Sequence, residues 1–201
     1  MTNWEELWKV NNIRWDQGDV TPAITQFLAE TPTPLGESVI VPGCGMGYDV
    51  LAFAKAGYKS SLGLDMAPTS TAQAKAHAAK DDHPLVANAH FETGDFFEIK
   101  NRQFDLLFDY TFACAIEPSL RDAWAAQVAA LIKPGGYALI LMFPLRDSEG
   151  GPPYKWSVME YSKYLEPNFE VVYIKECGGQ EDRKAIQRIS LWKRRSTTFN
   201  L

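Results

Sequence analysis

The chain has 201 residues, 20 of them basic and 25 acidic, for a net charge of −5, and is 46% hydrophobic and 12% aromatic. That length suits a single domain over residues 1–201 with an ample core, and the acidic balance, lacking any basic stripe of interleaved aromatics, gives no support to a nucleic-acid or membrane-surface role and favours a small-molecule partner. No apolar run approaches the ~20 residues that span a bilayer, and the opening Met-Thr-Asn-Trp-Glu-Glu lacks the charged and apolar regions of a secretory signal, so a cytoplasmic monomer is expected.

Residues 1–30 read as a helical appendage, a lid on a sheet core at 37–201. Trp4 and Trp8 stand at i,i+4, with Trp15 seven residues further on and Glu5 and Glu6 on an acidic surface. Such spacing is either the buried stripe of an amphipathic helix or an aromatic wall outside the sheet. Thr31-Pro-Thr-Pro-Leu-Gly36 is the one linker-like stretch. Beyond it, apolar runs at 39–41, 61–64, 90–93, 104–109 and 137–143 alternate with helical patterns at 49–56, 68–80 and 120–132. Lys133-Pro-Gly-Gly136 reads as the stop of the last helix. This alternation predicts an α/β fold, a Rossmann-like doubly wound, mostly parallel sheet. Runs at 169–174 and 186–193 have no convincing helix between them and predict an antiparallel hairpin near the sheet edge, bringing the count to seven strands.

The first strand leads into Gly43-Cys-Gly-Met-Gly47, and the second ends on Asp65. Glycines permit close approach of a ligand to backbone, and a carboxylate ~20 residues on accepts ribose hydroxyl protons, so the pattern points to an adenosine cofactor. Asp49 places negative charge at the following helix N-terminus, where a pyrophosphate would otherwise sit, which favours S-adenosylmethionine over a nicotinamide dinucleotide. Ligands of open α/β sheets lie outside the carboxyl ends of the strands, so Gly43, Gly45, Asp65, Asp95 and Tyr110 should gather round one crevice. Asp95 either takes the adenine amino group or caps a turn, and Phe96 or Phe97 either covers the base or fills core. If the cofactor is a sulfonium, Trp4, Trp8 and Trp15 suit a wall that attracts the cation and excludes water.

The loop at 143–156 carries too many prolines and glycines for regular structure. Beside the crevice it becomes a substrate loop, with Tyr154 offering a hydroxyl and Trp156 an apolar face. His77, His83 and His90 form no metal-ligand spacing, and Cys44, Cys114 and Cys177, odd in number and far apart, fit neither a disulfide framework nor a zinc site, so no metal is expected.

The motifs V-P-G-C-G-x-G-Y-D-V, G-L-D, G-D-F-F, R-x-x-W-A and L-x-K-P-G-G, and above all Phe108-Asp-Tyr-Thr-Phe-Ala-Cys-Ala-Ile116 and Gly150-Gly-Pro-Pro-Tyr154, resemble the thiol and halide methyltransferases, which belong with the thiopurine S-methyltransferases. The resemblance runs from Trp4 to about Ser157. It implies a class I methyltransferase sheet, S-adenosyl-L-methionine as cofactor, and cofactor contacts at Trp4, Trp8, Trp15, Gly43, Asp65, Asp95, Phe96 and Tyr110. Pro42 stands where most class I enzymes have an acidic residue, as in this family. Thiopurine enzymes place an arginine at the position of Tyr110, which argues against bulky heterocyclic acceptors here, and Arg183 reaches the site only by family analogy, since charge runs of its kind usually form solvated turns.

The expected reaction is displacement of the sulfonium methyl by a halide, hydrosulfide or thiol, with Tyr154, Tyr110 and Trp15 positioning the nucleophile, no general base, and no arginine clamp. An aryl thiol of the thiopurine type is the alternative acceptor, and a nicotinamide-dependent oxidoreductase the alternative enzyme.

Overall fold

The computed structural model describes residues 2–179 and 183–196. Strands β1 (Ser38–Pro42), β2 (Ser60–Asp65), β3 (Ala89–Thr93), β4 (Phe104–Tyr110), β5 (Ile132–Met142), β6 (Phe169–Lys175) and β7 (Arg188–Arg194) form one sheet in the order β3-β2-β1-β4-β5-β7-β6. The first five are parallel, and β7 runs antiparallel between β5 and the edge strand β6. Chain order reverses between β1 and β4, which makes the carboxyl ends of those neighbours the topological switch point.

Alternation along each central strand divides the core into two layers. Val39 and Val41, Leu106 and Phe108, and Leu139 and Leu141 face one layer, whereas Ile40, Leu107 and Ile140 face the other. Helices α2 (Pro22–Glu30), α3 (Tyr48–Lys55) and α4 (Pro68–Ala78) cover the first face through Ile24, Phe27, Val50, Phe53 and Ala74. Helices α5 (Arg121–Leu131) and α6 (Val158–Leu165) cover the second through Trp124, Val128, Tyr161 and Leu165. Full burial of such side chains stabilises the fold by roughly 1.5–3 kcal/mol each.

Three elements differ from the sequence reading. The N-terminal region is not all lid: α1 (Trp4–Lys9) lies outside the core, but Ile24 and Phe27 of α2 pack against it. β5 starts directly after α5 and runs through Lys133-Pro-Gly-Gly136, with its register to β4 shifting between Phe104 and Leu106. Helix α6 follows the loop after β5. Its start is fixed by a capping box, in which Ser157 accepts from the Glu160 N–H and Glu160 accepts from the Ser157 N–H. Among the described residues no helix is long and apolar enough to cross a membrane.

Candidate active site

A cavity of about 470 Å³ opens at the switch point, and the ends of five strands line it: Gly43 after β1, Asp65 at the end of β2, Asp95 after β3, Thr111 and Phe112 after β4, and Phe143 after β5. Trp4, Trp8 and Trp15 border it from the N-terminal region, Pro152, Pro153 and Tyr154 from the loop after β5, and Arg183 from the β6–β7 connection.

The glycine turn has a steric reason at two positions. A Cβ on Gly43, at φ +61°, would lie 2.8 Å from the ring of Phe112, and one on Gly47, at φ +79° where α3 begins, would lie 2.5 Å from Phe91. Either substitution would push an aromatic ring out of place as well as strain the backbone. Across the turn, Asp65 is tied down by three donors: the Gly45 N–H at 3.2 Å, the Ser70 hydroxyl at 2.9 Å and the Ala67 N–H at 3.0 Å. Burial raises its carboxyl above the ordinary carboxylate range, and those donors oppose the rise. An oriented carboxylate at the mouth of β2 is what a ribose diol requires.

Asp95 borders the cavity and caps a turn by accepting the Phe97 N–H at 2.9 Å. Phe96 is 3% exposed, meets Phe97 and Phe112 edge-on, and lines the cavity too. The tryptophans form one cluster, with Trp15 edge-on to Trp4 at 5.2 Å and to Trp8 at 6.1 Å. Trp8 is itself 3% exposed, whereas Trp4 and Trp15 are half-buried. The Glu5 carboxylate of α1 accepts from the Thr69 N–H and hydroxyl of α4, which fixes the cluster over the crevice.

Two expected site residues are placed differently. Tyr110 does not line the cavity. Its phenol oxygen accepts from Arg183 Nη1 at 2.7 Å, and Arg183 occupies the wall instead, 8% exposed, with Nη2 donating to the Trp15 carbonyl at 3.3 Å. Its guanidinium also lies 5.2 Å from the Phe143 ring centroid. The solvated-turn reading of Arg183 is therefore corrected: it is buried and borders the cavity, as the family analogy implied. Trp156, expected to face a nucleophile, is 3% exposed in the core and stacked on Tyr161 at 4.2 Å.

Tyr154 does border the cavity, with its N–H donated to the Cys114 carbonyl at 2.7 Å. A Cβ on Gly151 would come 2.5 Å from its ring, which accounts for glycine in Gly150-Gly-Pro-Pro-Tyr154. Thr111, on the wall beside Tyr110, has φ +59°, an unfavourable conformation for a β-branched residue and one that clusters at functional sites. Phe112, Phe143, Glu117 and Arg14 also border the cavity without having been singled out from sequence. Burial, and then Asp109, push the Cys114 thiol far up, and burial followed by Asp65 does the same to Cys44, so neither is a thiolate nucleophile. None of the three histidines borders the cavity.

A model of the thiopurine S-methyltransferase family matches residues 1–194. The chain is 39% identical over 197 residues to probable thiol methyltransferase 2 of Arabidopsis thaliana, covering 96% of this chain and 85% of that protein. It is 39% identical over 194 residues to thiocyanate methyltransferase 1 of Brassica oleracea, covering 95% and 84%. Among solved structures, the Burkholderia thailandensis 1,6-didemethyltoxoflavin N1-methyltransferase with bound S-adenosylhomocysteine superposes with a TM-score of 0.71 at 17% identity, over 94% of this chain and 84% of that one, a likeness of fold.

Proposed function

Because the chain belongs to the thiopurine S-methyltransferase family, we propose that it transfers the methyl group of S-adenosylmethionine to a small, soft, anionic nucleophile such as thiocyanate, hydrosulfide, a halide or a thiolate. S-adenosylmethionine supplies, when bound, a sulfonium methyl already activated for displacement. The residues present suit it. Asp65 would hold the ribose hydroxyls, Asp95 and Phe96 the adenine, and Trp4, Trp8 and Trp15 would wall the cation, each desolvated ring contributing roughly 1–2 kcal/mol. Asp49 already accepts the Thr21 N–H and hydroxyl, both at 2.9 Å, beside the α3 N-terminus, which suits a cofactor without pyrophosphate and counts against the nicotinamide alternative.

The observation that carries the acceptor class is Arg183, a buried guanidinium on the same cavity as the indole cluster. Among the described residues no carboxylate forms an ion pair with it. A cation at 4 Å attracts an anion by about 4 kcal/mol at an effective dielectric of 20, enough to gather a weakly basic nucleophile from water. Tyr110 holds the guanidinium, and Tyr154 offers one hydroxyl to the nucleophile. Few hydrogen bonds to the attacking atom favour the reaction, because its charge is lost as the new bond forms. No histidine stands ready as a base, so nucleophiles already ionised near neutral pH fit best.

The test is a headspace assay of the purified protein with S-adenosylmethionine and, separately, thiocyanate, hydrosulfide, iodide, thiophenol and a thiopurine. Methylated volatiles from the small anions in preference to the thiopurine are expected. No methylated product from any acceptor would refute the reading, and a thiopurine preferred over all the small anions would transfer it to the aryl-thiol class.

A further inference from the structure

Arg121 plays no part in the cavity wall, yet it is 6% exposed, and its Nε is buried with no hydrogen-bond partner. Each of its two terminal nitrogens has a partner. Nη1 donates to Glu160 Oε1 at 2.7 Å, Nη2 donates to the Lys155 carbonyl, and the guanidinium lies 3.9 Å over the Trp156 ring. We propose that Arg121 is a positioning residue for the acceptor side of the cavity, holding Tyr154 and the Pro152-Pro153 wall through the Lys155 peptide and the Trp156 ring.

The connection runs through consecutive residues. Tyr154 gives its N–H to Cys114, Lys155 gives its carbonyl to Arg121, and Trp156 gives its N–H to the Pro144 carbonyl and its Nε1–H to the Ala113 carbonyl. Three peptides of the loop are thus pinned in series, and the residue at their head is the one that borders the cavity. Glu160, which receives Arg121, also caps α6 through the Ser157 N–H and hydroxyl, so the guanidinium joins the N-terminal end of α5 to the start of α6 with the loop between them. Trp124, one turn along α5, lies 5.6 Å from Trp156 and donates to Asp109, so the arginine and the tryptophan of the Arg-x-x-Trp-Ala motif meet the same ring.

Energetics favour positioning over stability as the reason for an arginine here. A buried polar atom without a partner costs about 1–3 kcal/mol. Replacing a buried ion pair by apolar residues is often neutral or stabilising, and here the Glu160 side chain is 41% exposed, so an apolar residue at 121 leaves that carboxylate to solvent instead of buried and unpaired. Lysine, a point charge on a flexible stem, cannot span a carboxylate and a carbonyl while stacking on an indole.

The test uses Arg121→Met and Arg121→Lys, each made with and without 3-fluorotyrosine at position 154. Thermal unfolding, S-adenosylhomocysteine affinity and the fluorine resonance are measured together with kcat and KM for thiocyanate. Both variants are expected to fold and to hold S-adenosylhomocysteine within about twofold of the parent, while the Tyr154 resonance shifts or broadens and KM rises roughly tenfold with a smaller change in kcat. An unchanged resonance with unchanged KM overturns the proposal, as does loss of folding in both variants, which would make the role structural. The kinetic half rests on the methyl-transfer reading and the resonance does not, so a parent protein inactive with every acceptor would sink that reading while the fluorine signal still decides this one.

Discussion

Glu5 of α1 accepts two hydrogen bonds from Thr69 of α4, from its N–H at 3.0 Å and its hydroxyl at 2.8 Å. Helix α4 has Ala67 at its N-cap and no side-chain cap of its own, so Glu5 of α1 supplies the missing acceptor and sets its negative charge against the helix dipole. The Thr69 N–H and hydroxyl hold the Glu5 carboxyl below its ordinary range, so the attachment is complete above that range and is lost as pH falls through the lowered value. Glu5→Ala should therefore weaken S-adenosylhomocysteine binding, by roughly tenfold, with little change in the cooperativity of unfolding. Calorimetric titration of the variant checks this, and unaltered affinity would show that the lid closes without its latch.

Trp15 and Trp8 border the same cavity but differ in burial, which separates two effects. Trp15 is half-buried and held mainly by edge contacts to Trp4 and Trp8, whereas Trp8 is 3% exposed. Trp15→Ala should cost about 1–2 kcal/mol of donor affinity and little stability. Trp8→Ala should lose both, with a stability loss of about 3–5 kcal/mol, as for other buried indoles. Thermal melts run alongside cofactor titrations distinguish them; equal stability losses in the two variants would reduce Trp15 to packing.

Much of this architecture is legible in the sequence because it rests on local pattern. The apolar runs of β1, β4 and β5 are short and bounded by glycine or turn residues, and the turn from Gly43 to Gly47 together with Asp65 marks the switch point before any coordinates are known. What escaped the reading depends on distant contacts. Arg183 sits in a charged run, and only the approach of Tyr110, 73 residues away in sequence, and of the Trp15 carbonyl makes it a buried site residue. Trp156 was drawn toward the crevice by its neighbours in the loop, but Arg121 and Tyr161 claim its ring. Helix α6 did carry a signal, Ser157-Val-Met-Glu160 ahead of Tyr161 and Leu165, which a capping-box search would have found.

Arg183 and Tyr110 make a graded prediction for acceptor binding. Arg183→Met removes the cation from the wall and should raise KM for thiocyanate by roughly tenfold or more, because a charge-assisted contact is worth about 1.5–3 kcal/mol. Tyr110→Phe leaves the guanidinium but removes its 2.7 Å partner, and a smaller rise is expected. The change should be smaller for an uncharged ligand of similar size, such as the product methyl thiocyanate. Comparing KM for thiocyanate with the inhibition constant of methyl thiocyanate in each variant checks the order, and equal effects on both would assign Arg183 to holding the Trp15 backbone instead of an anion.

Asp109 sets a pH dependence of folding that can be isolated. It is 1% exposed beneath the cavity floor and accepts the Ala113 N–H at 3.0 Å and the Trp124 Nε1–H at 2.9 Å, yet burial outweighs these donors and lifts its carboxyl to about 6. Asp49 is likewise raised by burial to about 6, against the pull of Thr21. Between the ordinary value of 3.8 and about 6 the native state holds protons that the unfolded chain has released, so stability falls as pH rises through that window and stays low above it. Asp105 has the opposite sign. Although burial pushes it up, Lys133, Ser38 and the Glu37 N–H bring it down to about 2, so its contribution is present above 3.8 and is lost as pH drops toward 2. Denaturant midpoints of the parent should therefore fall between pH 4 and pH 7, by an amount to which Asp109 alone contributes up to about 3 kcal/mol. Asp109→Asn shifts the absolute stability, since the amide can accept only one of the two donors well, but the variant should show a shallower pH slope than the parent. A slope identical to the parent's would mean that this carboxyl ionises without penalty in the folded chain.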